Sequence, residues 1–255
     1  LQPSAMPSIL HTIRERLFTK NRFTCFLAHA VGEIVLVVIG ILIALQVDNY
    51  KDQRKAREAE LEYLHGIKAD LQANIAKANT VIGKRERIME AARRVIGKMD
   101  GEPITDWKAF NEDCISVYAW QRYDPINYTV EELLNSGGLT RITNDSVRSS
   151  LIVLESLYKQ AKEEEDHFRY DAETLIWDPV YHLMDLGPLI NLHMGKEVTL
   201  QRTDYDAYFA DKRAKNGMFM AQLEFSTMNG QVQEIVRRSA GLVELIDKEL
   251  AREER

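Results

Sequence analysis

Residues Phe26 to Val47 read FLAHAVGEIVLVVIGILIALQV, and this stretch decides the architecture. About 22 residues rising ~1.5 Å each span ~33 Å, close to the ~30 Å hydrocarbon core of a bilayer. From Ile34 to Leu45 the sequence is unbroken and apolar. A buried helix of this length in a soluble protein almost always shows a polar face, and Ile34 to Leu45 offers none. The chain continues LQVDNYKDQRK with no small-x-small site, which reads as an uncleaved signal anchor. Three regions are therefore predicted: a basic amphipathic interfacial leader over 1–25, a transmembrane helix over 26–47, and a helical extramembrane domain over 48–255.

Outside the span, basic residues are balanced. Arg14, Arg16, Lys20 and Arg22 precede it, and Lys51, Arg54, Lys55 and Arg57 follow it. A short basic tail resists translocation, whereas a long domain crosses largely regardless of charge. Asp48, Asp52, Glu58 and Glu60 also dilute the downstream basics. The expected location is a bacterial inner membrane, with the N-terminus cytoplasmic and the large domain periplasmic. In the leader, Ile9, Leu10, Ile13, Leu17 and Phe18 share one helical face. That pattern fits a helix lying in the headgroup layer, with Arg14, Arg16, Lys20 and Arg22 as membrane-surface contacts.

The span carries a stripe of small and polar residues: Ala28, His29, Gly32, Glu33, Gly40 and Ala44. Their spacing places them on one side of a helix. Small residues allow close approach of a second helix, and a polar side chain can hydrogen-bond across the contact. Three readings of Glu33 follow. It belongs to a helix–helix interface, or to a proton or ion path in a homo-oligomer, or it snorkels with His29 to the headgroups.

Two landmarks carry a resemblance. GEIVLVVIGILIALQVDNY, after a leader ending KNRFTCFLAHAV, and the later YTVEELLNSGGLTRITNDSVRSSL occur in the order seen in a family of uncharacterised bacterial single-pass membrane proteins. The chain resembles that family over most of its length. Tyr50 stands where many members have Trp. The resemblance implies a helical fold and supplies no activity.

Beyond the span, residues 48–99 predict one long helix. Leu61, Leu64, Leu71, Ile75, Ala78, Ile82, Met89, Ala92, Ile96 and Met99 recur at three- and four-residue steps. This seam packs on later helices of the same chain or pairs with a second copy. Asp100-Gly101-Glu102-Pro103 ends the helix. A second helix is expected near 105–121, with Trp107, Phe110, Cys114, Val117 and Tyr118 inward. Thr129 and Glu132 suggest a capping box, and Ser136-Gly137-Gly138 a stop. Asn144 or Asp145 caps a long helix to about Ile176. An irregular stretch reaches about Thr203, and a last helix covers 218–252 with Phe219, Leu223, Val232, Ile235, Leu242, Ile246 and Leu250 inward. The fold class is all-α: the membrane helix continues into an antiparallel helical bundle.

Residue patterns that carry chemistry are few. Glu62/His65 and Glu164/His167 are Glu-x-x-His pairs of the kind found in di-iron bundles. Glu163-Glu164-Glu165-Asp166, however, reads as a solvated face, so these are weak metal candidates. His182 and His193 lie in the irregular stretch. Cys114 reads as a buried structural thiol. No phosphate-loop, dinucleotide, nucleophile-elbow or Cys-x-x-Cys motif occurs, and no cofactor is expected. The net charge of −6 gives no nucleic-acid signature. The expected role is a non-catalytic accessory or scaffolding subunit, with the bilayer and other membrane subunits, or further copies of itself, as partners. A homo-oligomeric sensor or ion-conducting protein using Glu33 is one alternative, and an anchored periplasmic enzyme or binding domain is another.

Overall fold

The computed structural model describes residues 22–252, with side chains from residue 26. Among these residues every regular element is helical and there is no strand. The leader contacts Arg14, Arg16 and Lys20 lie outside the described residues. Arg22 enters only as the first backbone position of a helix. The first helix, α1, runs from Arg22 to Met99 without a break. No proline occurs in it, and proline is the residue that most readily breaks a helix. It ends where Gly101 adopts φ 107° and the Glu102 N–H donates to Gly97 O at 3.0 Å. Left-handed backbone at this position favours glycine.

The chain divides into two compact units between Ala59 and Glu60. The first unit, in its described part, is α1 up to Ala59. The second unit, from Glu60 onward, is a helical bundle. It contains the rest of α1, then α2 (Trp107–Tyr118), α3 (Tyr128–Asn135), α4 (Asp145–Ala172), α5 (Asp178–Leu183), α6 (Leu186–His193), α7 (Asp206–Ala210) and α8 (Lys212–Leu250). A π-helical turn, Glu173–Trp177, joins α4 to α5.

Side-chain contacts fix the directions of the long helices. Thr143 N–H donates to Glu60 Oε1 at 2.6 Å near the start of α4. Farther along, Asn74 meets Tyr158 and Arg85 meets Glu165, so α1 and α4 run parallel. Lys68 pairs with Asp247 at 2.6 Å and Lys215 pairs with Asp100, so α8 runs antiparallel to α1. The bundle is antiparallel through its last helix, and residues 100–144 carry the chain back between the two parallel ones.

The α1 seam packs on later helices of the same chain. One apolar cluster gathers Leu64, Leu71, Ala78, Leu151, Leu154, Val232, Ile235 and Leu242. A second gathers Val95, Phe110, Phe168, Ala172, Ala214, Met218 and Phe225. Burial of such side chains, ~1.5–3 kcal/mol each, holds the bundle together.

Local expectations need three corrections. The last helix starts earlier, at Lys212, capped by the Asp211 side chain. Its inward register is Ala214, Met218, Ala221, Phe225 and Met228, which turns Phe219 (52% exposed) and Leu223 (60%) outward. Asn127 precedes α3, so Thr129 is its second residue and forms no capping box. The Thr129 N–H donates to Asp70 Oδ2 at 3.1 Å, and Glu132 accepts from the Tyr63 hydroxyl at 3.2 Å. Finally, the stretch from Pro179 is more regular than its composition suggests, forming α5 and α6. Asn144 caps α4 as expected, and Gly137 (φ 66°) stops α3.

Candidate functional site

The apolar segment of α1 is the first candidate. From Phe26 to Val47 every side chain is exposed except half-buried Ala30. An 18-residue window has mean hydropathy 2.6, with none of it buried. This is a helix long and apolar enough to cross a membrane. Ala28, His29, Gly32, Glu33, Gly40 and Ala44 all lie exposed on it, and nothing stands within 4 Å of a side-chain position at Gly32 or Gly40.

The metal candidates do not converge. Glu62 and His65 are exposed on α1, His167 is exposed on α4, and Glu164 is half-buried there. Among the described residues no group of three potential ligands is assembled. The expectation of a solvated acidic face holds for Glu163 and Asp166, which are exposed, but not for Glu165, which is 1% exposed.

Glu165 forms a buried polar layer with Arg85, which is 0% exposed. The two make an ion pair. Arg85 also donates from Nε and Nη2 to Gln121 O at 3.0 and 2.9 Å. Glu165 Oε1 accepts the Tyr123 N–H at 2.8 Å. Arg122 approaches Glu165 Oε2 at 3.6 Å. Burial pushes the Glu165 carboxyl up from the usual carboxylate range, against the pull of the Tyr123 N–H and of Arg85. The groups held here are the backbone of residues 121–123, which belongs to no helix. The arrangement satisfies backbone groups of a buried connector, while Arg85 Nη1 and Glu165 Oε2 have no hydrogen-bond partner among the described residues.

The second candidate is a cavity of about 350 Å³ between α2, α5, α6 and Tyr205–Tyr208. Ile115, Val180, Met184, Leu186, Leu189 and Ile190 make its apolar wall. Cys114, Asn111, Tyr205, Tyr208 and His193 add polar atoms. Burial pushes the Cys114 thiol and the Tyr205 and Tyr208 phenols up, so all three are neutral donors at physiological pH. Cys114 is a free thiol, half-buried at the wall. His193, one of the two histidines of the irregular stretch, is exposed and borders this cavity. The other, His182, faces Asp178 at 3.0 Å. Sequence reasoning missed this cavity. Its signal was the density of Val, Met, Leu and Ile from Val180 to Ile190, in a stretch punctuated by Pro179 and Gly187-Pro188.

A family of unknown function, DUF6090, matches residues 33–161, half of the chain. The chain belongs to DUF6090. The matched region starts at Glu33 within the apolar segment and ends at Ala161 in α4. It contains the Asn74 and Arg85 positions of α1, whereas Glu165, α5, α6 and α8 lie beyond it. No curated protein and no solved structure matches the chain.

Proposed function

We propose that this DUF6090 protein is a single-pass protein of the bacterial inner membrane that serves as a non-catalytic accessory or scaffolding subunit of a larger membrane complex. Its N-terminus faces the cytoplasm and residues 48–255 face the periplasm. The host is a respiratory, photosynthetic or transport assembly. The observation that carries this reading is the exposed apolar helix segment with its stripe of small and polar residues. Lipid covers the Ile, Leu and Val sides. The stripe of Ala28, His29, Gly32, Glu33, Gly40 and Ala44 receives another span, because close backbone approach and an interhelical hydrogen bond drive association in lipid. The bundle supplies a rigid body for contacts outside the membrane.

The test is mild-detergent extraction from native membranes, a native gel, and mass spectrometry of the band containing this chain. Co-migration with other subunits is expected, and Gly40→Leu should reduce the co-migrating fraction several-fold. Migration of the wild type as a pure homo-oligomer would overturn the accessory role. Attention would then move to Glu33 as a titrating group of a sensor or ion path, for which Glu33→Gln abolishes flux.

A further inference from the structure

We propose that the cavity between α2, α5 and α6 binds a neutral alkyl or isoprenoid chain that ends in a hydroxyl or carbonyl group, with the Tyr205 hydroxyl as its hydrogen-bond partner. This site is independent of the docking stripe. Three observations carry it. First, the volume of about 350 Å³ falls at the lower end of the ~300–1,000 Å³ range of small-molecule pockets. Second, no Asp, Glu, Lys or Arg lies among the described residues of its wall. No fixed charge lines the wall, and His193, which borders the cavity, is exposed to solvent, so an ionised group drawn inside would be desolvated and the occupant is neutral. Third, Tyr205 lines the cavity, is 1% exposed, and its hydroxyl has no hydrogen-bond partner among the described residues.

An unpartnered buried hydroxyl is costly and invites an explanation. The other polar groups of the wall do not offer one. Asn111 donates to Leu189 O at 3.2 Å, and the Tyr118 hydroxyl meets that of Tyr181. Tyr205, in contrast, has its ring fixed by Trp107 and Phe209, at centroid distances of 5.4 and 5.7 Å. The ring is thus held at the cavity wall with its hydroxyl unpartnered, so the proposal assigns that hydroxyl to the ligand's oxygen and the Ile, Leu, Val and Met wall to its chain.

The experiment uses the full chain in lipid nanodiscs with three photoreactive probes carrying a diazirine: dodecanol, dodecane and dodecanoate. Adducts are mapped by mass spectrometry. Dodecanol is expected to label residues 107–118 and 178–193 saturably, in addition to background labelling of Phe26–Val47. Dodecanoate should label the cavity segments far less. Tyr205→Phe should weaken dodecanol labelling of the cavity about 2- to 10-fold and leave dodecane labelling unchanged. Ile115→Trp, which fills the cavity, should remove cavity labelling while labelling of Phe26–Val47 persists as the internal control. Labelling confined to Phe26–Val47 would overturn the proposal, as would equal labelling by dodecanoate. Tyr205→Phe changes no packing volume, so an unchanged dodecanol signal in that variant would overturn the assigned role of Tyr205 even if Ile115→Trp misfolds.

Discussion

Replacing Glu165 with Gln should destabilise the bundle far more than a change of one atom type suggests. The substitution keeps the shape and still accepts the Tyr123 N–H, which now lies 2.8 Å from Oε1. Among the described residues it removes the one negative charge paired with Arg85, a guanidinium that is 0% exposed and cannot deprotonate. Leaving a buried charge without its partner costs about 3–5 kcal/mol. Domains are stable by only ~5–15 kcal/mol. At about 2–4 °C per kcal/mol for a chain of this size, the Tm should fall by roughly 6–20 °C. Arg85→Met should cost less, because a carboxyl can escape burial by taking a proton. Burial already pushes Glu165 up, and without Arg85 it rises further. A group with a raised folded-state pKa favours folding at low pH and loses that contribution as pH rises through the folded value. The penalty of Arg85→Met should therefore shrink as pH falls. In the double variant neither charge is stranded. What remains is Gln121 O without its donors, about 1–3 kcal/mol. The double variant should be more stable than the sum of the singles by at least about 2 kcal/mol. Thermal unfolding of the full chain in micelles, followed by far-UV circular dichroism across pH, measures all three. A Glu165→Gln penalty within about 1 kcal/mol of zero, or strict additivity, would refute the reasoning.

Three further outcomes follow from single positions. At Gly217 on α8, an added Cβ would lie 2.4 Å from Leu175 O and 2.8 Å from Leu175 C in the π turn, so Gly217→Ala should cost about 1–3 kcal/mol in the same melts. Gly230 on the same helix has nothing within 4 Å, and Gly230→Ala should instead gain about 0.5–1 kcal/mol; equal effects at the two sites would contradict the close approach. Glu234 is held down to about 2 by hydrogen bonds from Arg237 and then Arg238. Its stabilising effect is complete above the ordinary carboxylate range and is lost as pH falls towards 2, so Glu234→Gln should flatten that part of the acid-unfolding curve.

The long helices were legible because a 3.6-residue apolar period needs only local sequence. Leu64, Leu71 and Ala78 announced the inner face of α1, and Asn144 announced the start of α4. The register of α8 was not legible at its start. Phe219 and Leu223 are large and apolar at helical spacing, yet the close approach of Gly217 to Leu175 sets the inward face one residue earlier, through small residues such as Ala214 and Ala221. Hydrophobicity ranks side chains by size, whereas close packing against the π turn selects small ones. The cavity was hidden for a related reason. Its wall joins α2 to α5 and α6, and only the fold brings those segments together.

The charged residues inside the bundle show what a pattern of apolar residues leaves out. Glu60, Asn74 and Arg85 fall on the same three- and four-residue steps as Leu64, Leu71 and Ala78, and Glu165 falls between Ala161 and Phe168. A reading by residue type places them outside; a reading by position places them inside. The structure follows position. Glu60 binds Thr143 N, Asn74 binds both Ile126 N and Ile126 O, Arg85 binds Gln121 O, and Glu165 binds Tyr123 N. Each partner is backbone outside the helices, in the segment that carries the chain from α2 to α4. An apolar helix face cannot satisfy those peptide groups, and leaving them unpaired costs ~1–3 kcal/mol each. At Glu60, Asn74, Arg85 and Glu165 a polar residue at a seam position thus marks where a helix packs against non-helical backbone, whereas buried Asn111 and Asn229 bond helical carbonyls. In this chain that signal locates the connector between two parallel helices, the part of the fold that periodicity alone could not draw.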